Sequence, residues 1–244
     1  MFRLNFCCKT VVTLAFLGFV CLFLGSCSSN DQEQQIDLNT LYPSDEIVIN
    51  THGEWTKVHY QNRIQEFKEA PLENMDIVFL GNSITEGGGD WGTRFNNPKV
   101  KNRGISGDTT DGVLARLGEI TYFKSAQVFM LIGINDLFRY DMSSQKVHDN
   151  IISIVRIIHE ENPETKVYVQ TILPTATEGV NNKVRLTNTL LKESESSEAY
   201  NLIRLHELFI GSDNAMNMEF STDGVHLNEK GYNLWVNKVR VHIN

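Results

Sequence analysis

Ile77-Val78-Phe79-Leu80-Gly81-Asn82-Ser83-Ile84-Thr85 is the stretch that decides the fold. Four consecutive apolar residues, three of them β-branched or aromatic, run straight into Gly-Asn-Ser, the signature of a short strand that ends at a tight turn. The run does not alternate with polar residues, so the strand is expected to be covered on both faces, as in a parallel sheet. Four further strand-like runs follow, at 99–102, 127–132, 166–172 and 202–205. Helix-like segments separate them at 111–122, 143–161, 183–196 and 229–243; in 143–161, Val147, Ile151, Ile154, Val155 and Ile158 recur on one face. Ahead of the first strand, Thr51-x-x-Glu54 reads as a capping box. Trp55, Val58, Ile64 and Phe67 then follow at helical spacing until Pro71, which predicts an amphipathic helix over 51–71 packed on the main domain. The alternation predicts an α/β fold, a three-layer α/β/α sandwich with a mostly parallel five-stranded sheet over 72–244. There is no internal repeat.

Ligands of such sheets bind outside the carboxyl ends of the strands, so the residues that end each strand are the candidates for chemistry. Ser83 follows the first strand. Taken alone, a serine there is more often a helix cap than a nucleophile. Thr85 stands where the nucleophile elbow of α/β-hydrolases has its second Gly, and no Lys-Ser/Thr pair follows Gly87-Gly88-Gly89 to make a phosphate loop. The second strand leads into Asn102-Arg103-Gly104-Ile105-Ser106-Gly107-Asp108, where Gly107 is either a turn glycine or a residue whose N–H faces a reacting oxygen. The third ends in Gly133-Ile134-Asn135-Asp136. The Asn135 carboxamide can stabilise an oxyanion without being a proton source, or can cap the next turn. Near the C-terminus, Asp223-Gly224-Val225-His226-Leu227 offers an imidazole that could take a serine proton, with a carboxylate three residues earlier to hold the ring's other nitrogen. The string D-x-x-H is common by chance. Of the other histidines, His148 and His159 sit in a helical pattern, His206 follows a strand run, and His52, His59 and His242 lie in peripheral segments. No H-E-x-x-H and no cysteine pair beyond residue 27 supports a metal site.

In order, G-N-S-I-T, I-S-G-D, G-I-N-D and D-G-V-H-L resemble the four blocks of the SGNH hydrolases, also called the GDSL family of esterases and acylhydrolases, over about residues 75–240. The resemblance implies that Ser83 is the nucleophile, His226 the general base and acid, and Asp223 the residue that orients it. The Ser83 and Gly107 N–H groups with the Asn135 side chain become the oxyanion hole, and no cofactor is needed. Asn82 departs from the family's Gly-Asp-Ser, at a position outside the family's catalytic four. The long stretches I-V-F-L-G-N-S-I-T and N-R-G-I-S-G-D are most similar to the platelet-activating-factor-acetylhydrolase-like and carbohydrate acetylesterase branches. They imply a short acyl group, acetyl first, on a larger alcohol such as a glycan. Beside Ser83, Trp91 and the glycine run 87–89 are candidates for the pocket rim, with the core as the equally good place for Trp91. Lysophospholipase or thioesterase activity on longer chains is the alternative within the family. A surface protein that binds glycan without turning it over is the alternative outside it.

The N-terminus concerns location. Arg3 and Lys9 precede an apolar run from Val11 to Leu24 that is short for a membrane span, and Leu24-Gly25-Ser26-Cys27 resembles the lipobox of bacterial lipoproteins. Residues 1–26 are therefore expected to be a signal peptide and Cys27 the lipidated first residue, with 27–50, polar from Ser28 to Gln35, as a tether. The other reading is an ordinary signal peptide with an incidental cysteine. Ser28 directly after Cys27 resembles outer-membrane lipoproteins, so the expected location is the bacterial cell envelope, on either face of that membrane. All four cysteines of the 244-residue chain lie at or before Cys27, so the mature chain would have no internal disulfide. Cleavage removes 26 residues and two positive charges, leaving 218 residues and a net charge of -10. That charge, without any basic stretch, argues against a nucleic-acid partner. At 41% apolar, the chain is also far from a disordered composition.

Overall fold

The computed structural model describes residues 36–243; the expected signal peptide over 1–26, Cys27 and the polar segment through Gln35 lie outside the described residues. Five strands, β1 (Ile77–Gly81), β2 (Val100–Gly104), β3 (Gln127–Leu131), β4 (Lys166–Gln170) and β5 (Asn201–Ile203), form one sheet in the order β2-β1-β3-β4-β5. Every pairing is parallel. The helices are α1 (Glu54–Glu69), α2 (Ser83–Glu86), α3 (Trp91–Phe95), α4 (Thr110–Leu114), α5 (Gly118–Tyr122), α6 (Ile134–Arg139), α7 (Ser144–Glu161), α8 (Glu178–Ser194), α9 (His206–Phe209) and α10 (Glu229–Val239).

The strand order fixes the layers. Crossovers between parallel strands are right-handed, so the step from β1 outward to β2 and the later steps from β2 to β3, β4 and β5 put their helices on opposite faces. On one face Phe79 stacks on Trp91 of α3 at 4.2 Å and lies 6.1 Å from Trp235 of α10. Phe79 and Phe129 are register partners, as are Phe129 and Tyr168, and their rings stack at 5.1 and 4.6 Å. Strand alternation sends Val78, Leu80, Val128, Met130, Val167 and Val169, all buried, to the other face. There α7 packs beside α4, α5 and α8. Trp91 is fully buried, with its Nε1 donating to the Thr85 carbonyl, so it is part of the core and not of a pocket rim.

Four expectations need correction. The segment 36–50 is no tether: Leu41, Tyr42 and Ile49 are buried in a second cluster with Tyr60, Ile64, Phe67 and Ile105. The capping box does not form, because α1 starts at Glu54 behind Gly53 while Thr51 is buried against the Thr109 hydroxyl at 2.7 Å. The buried stripe of α1 is Thr56, Tyr60, Ile64 and Phe67, whereas Trp55 and Val58 are 63% and 59% exposed. The expected helix over 111–122 is two helices broken before Gly118, whose Cα sits so close to the Leu41 carbonyl that a Cβ would come within 2.6 Å of it.

A buried ion pair fastens α1 to the sheet. Arg103 donates to Glu119 through Nε and Nη2, both at 2.8 Å, and to the Ala70 carbonyl at 2.9 Å, while its guanidinium lies over the Phe67 ring. Glu119 also accepts the Leu72 N–H, so each charge keeps several partners, as a pair at this depth requires.

Candidate active site

The carboxyl end of β1 is built around a close approach. A Cβ at Gly81 would meet the Leu131 carbonyl and the Thr85 hydroxyl at 2.3 Å each, so only glycine lets the chain turn here. Asn82 then caps α2 by accepting the Ile84 N–H, which makes Ser83 the first residue of the helix. An aspartate could make the same cap. What the asparagine adds is a buried Nδ2 with no acceptor among the described residues.

Ser83 Oγ lies 3.0 Å from His226 Nε2, and His226 Nδ1 lies 2.7 Å from Asp223 Oδ2. A carboxylate against Nδ1 fixes the proton there, so Nε2 presents its lone pair to the serine hydroxyl. Burial by itself would raise the Asp223 carboxyl. The hydrogen bond from the His226 ring and those from the His226 and Val225 N–H groups outweigh it, and hold the group down at about 2. The turn is pinned from outside: Gly224 has φ +87°, a Cβ there would strike Ala176, and the Ala176 N–H donates to the Gly224 carbonyl at 2.8 Å.

Gly107 and Asn135 meet on the other side. Gly107 has φ +82°, and a Cβ would approach the Thr56 hydroxyl to 2.5 Å. Asn135 Nδ2 donates one proton to the carbonyl of the next residue, Asp108, at 2.8 Å, which fixes the amide plane. Neither the second Nδ2 proton nor the backbone N–H of Ser83 or Gly107 has a protein acceptor among the described residues. The loop is tied to β1, since the Gly81 carbonyl accepts from the Ile105 N–H and from Arg116 Nη2.

Residues that sequence reasoning passed over hold this loop. Asp108, fully buried, accepts from Arg116 Nε at 2.9 Å and from the Thr109 N–H, and lies 3.0 Å from His52 Nε2. Its only signal was its place in I-S-G-D. His52 is buried rather than peripheral. Glu86 accepts the Ser106 N–H and hydroxyl and meets His59 Nε2 at 3.0 Å. No local pattern marked His59 or Glu86.

Asp136, beside Asn135, accepts from the Thr110 N–H and hydroxyl, and burial outweighs these bonds to push it up to about 6. An acid raised above its ordinary 3.8 folds best protonated. Its contribution to stability is therefore complete below that value and lost as the pH rises through about 6. Asp136→Asn removes this titration. The melting temperature of the wild type is expected to fall relative to the variant over that window, and parallel melting curves against pH would rule the effect out.

Residues 79–234 match the GDSL-like Lipase/Acylhydrolase family. The chain belongs to it. This GDSL-family protein is 30% identical over 165 residues to platelet-activating factor acetylhydrolase IB subunit alpha2 of Rattus norvegicus, covering 64% of this chain and 71% of that protein. A GDSL-like lipase structure from Bacteroides thetaiotaomicron superposes with a TM-score of 0.68 at 22% identity, over 75% of this chain and 96% of that one. An acetyl xylan esterase does so at 0.59 and 16% identity, over 69% and 100%. The protein is a carboxylic ester hydrolase with the fold of its GDSL relatives.

Proposed function

We propose that the protein is a serine esterase that removes short acyl groups, acetyl first, from carbohydrate. The chain Asp223–His226–Ser83, with its 2.7 and 3.0 Å contacts, carries this reading. In the reaction Ser83 Oγ attacks the ester carbonyl as His226 Nε2 takes its proton. The oxyanion receives the Ser83 and Gly107 N–H groups and the free proton of Asn135 Nδ2, and His226 returns the proton to the departing alcohol. Water repeats the sequence on the acyl-enzyme. Asp223 stays ionised and keeps the imidazole oriented.

A short acyl group is favoured by the character of the cleft. His226 and Asp223 are about half exposed, with side-chain exposures of 44% and 53%, and Asn82, Glu86, Ser106 and Asn135 are polar neighbours of the reacting groups. A long acyl chain needs an apolar channel beside the nucleophile to recover its transfer free energy. The acetyl xylan esterase among the structural neighbours supports a glycan as the alcohol. On a series of model esters and acetylated oligosaccharides, acetyl esters are expected to be the fastest and octanoyl esters the slowest. A rate that climbs with acyl length would replace this reading with a lysophospholipase or thioesterase.

The same proposal places the mature enzyme, from Cys27 onward, on a lipid anchor at the bacterial cell envelope, through the lipobox-like Leu24-Gly25-Ser26-Cys27. Growth with an alkyne fatty acid is expected to label the wild type and not Cys27→Ala; equal labelling would remove the anchor.

A further inference from the structure

Trp55 is a large apolar ring in an odd place. It stands in the first turn of α1 and is 63% exposed, yet it is held: its ring stacks on His59, one turn on, at 4.8 Å and 12°. His59 Nε2 in turn lies 3.0 and 3.1 Å from the two Glu86 oxygens, and Glu86 Oε2 also takes the Ser106 N–H and hydroxyl at 2.5 and 2.7 Å. Glu86 ends the four-residue helix that Ser83 begins, and Ser106 precedes Gly107. Thr56, the neighbour of Trp55, packs directly against Gly107. One carboxylate thus ties the Trp55–His59 stack both to the serine helix and to the loop that carries the oxyanion donor.

We infer that Trp55, backed by His59, is the platform on which a pyranose ring of the alcohol part of the substrate stacks, so that α1 sets the preference for glycan esters. The inference rests on the acetylesterase reading above and names the element that would recognise the sugar. An aromatic ring fixed beforehand offers contact area at little further cost in side-chain entropy. With one face on His59, it has the other left for the C–H face of a sugar, whose hydroxyls then fall near polar groups of α1. Further along the same helix face, Arg63 lines a cavity of about 510 Å³ with Glu66, Glu86 and Arg103, room for more of a glycan than one ring. A quaternary ammonium would be the other guest for an indole, but such cations are held in cages of several aromatic rings, and here the second ring lies underneath and the next residue along the stripe is the cationic Arg63.

The test compares wild type, Trp55→Ala and Trp55→Phe on an acetylated xylo-oligosaccharide, on ethyl acetate and on acetylcholine. In Trp55→Ala the ratio of kcat/KM for the oligosaccharide to that for ethyl acetate is expected to fall about tenfold, mainly through KM, with Trp55→Phe in between. An unchanged ratio, or equal losses on both esters, overturns the platform. A loss confined to acetylcholine overturns the sugar in favour of a cation. A wild type that hydrolyses ethyl acetate but no acetylated glycan overturns the carbohydrate reading itself, a result distinct from the others because it appears before any substitution.

Discussion

Ser83→Ala is expected to lower kcat on any ester by about 10⁴-fold or more while leaving stability within about 0.5 kcal/mol of the wild type. The size follows from the geometry. Ser83 Oγ is the hydroxyl that the imidazole reaches at 3.0 Å, and alanine leaves water as the sole nucleophile. The small structural cost follows too, because among the described residues that Oγ bonds only to the half-exposed His226, and the cap of α2 is made by Asn82. A fluorophosphonate should label the wild type and not the variant, which separates an esterase from a protein that merely binds glycan in the same cleft. If Ser83, His226 and Asp223 work as one device, the double variant Ser83→Ala/His226→Ala loses no more than the single one, since neither half functions without the other. Asp223→Ala should lose less than Ser83→Ala, because truncating a side chain that is 53% exposed lets water take part of its place at Nδ1. Residual hydrolysis by Ser83→Ala within tenfold of the wild type would put the nucleophile elsewhere.

The residues in this chain of hydrogen bonds could be picked out of the sequence for the same reason that the sheet could. Each follows a buried strand or precedes a helix, and a run such as Ile77–Leu80 changes character abruptly where it meets the turn. The five runs found in this way lie on the five strands to within a few residues. What stayed hidden depends on partners distant in the chain. Both faces of α1 carry apolar side chains, so spacing alone could not tell the stripe Thr56-Tyr60-Ile64-Phe67 from one that includes Trp55 and Val58; the buried set is decided by Leu41, Ile49 and Ile105. The polar start of 27–50 concealed a second half that packs. Gly118, where α5 begins, has no local sign of its role because the backbone of that half, at Leu41, is what presses on it. His52 gave no sign of its role because its partner, Asp108, is 56 residues away. The periphery of the site is assembled by tertiary contact, whereas its centre is written in local turns.

Asn135→Ala should lower kcat by about 10²- to 10³-fold, the usual cost of losing one oxyanion donor. The substitution also removes the bond to the Asp108 carbonyl, and an orphaned buried carbonyl costs about 1–3 kcal/mol in stability, so a fall in rate could equally report a loosened loop. Two measurements separate these causes. A donor that acts on the transition state loses affinity for a boronic acid by the same factor as kcat/KM while KM changes little, whereas a displaced loop disturbs substrate and analogue alike. Asn135→Asp supplies the second. It keeps the shape but replaces the donor with an acceptor that repels a developing oxyanion, so it should be at least as slow as Asn135→Ala. The carboxamide could be dismissed as an oxyanion donor if Asn135→Ala turned over within threefold of the wild type. An Asn135→Asp variant faster than Asn135→Ala would point the same way, because a negative charge cannot help to gather negative charge on the ester oxygen.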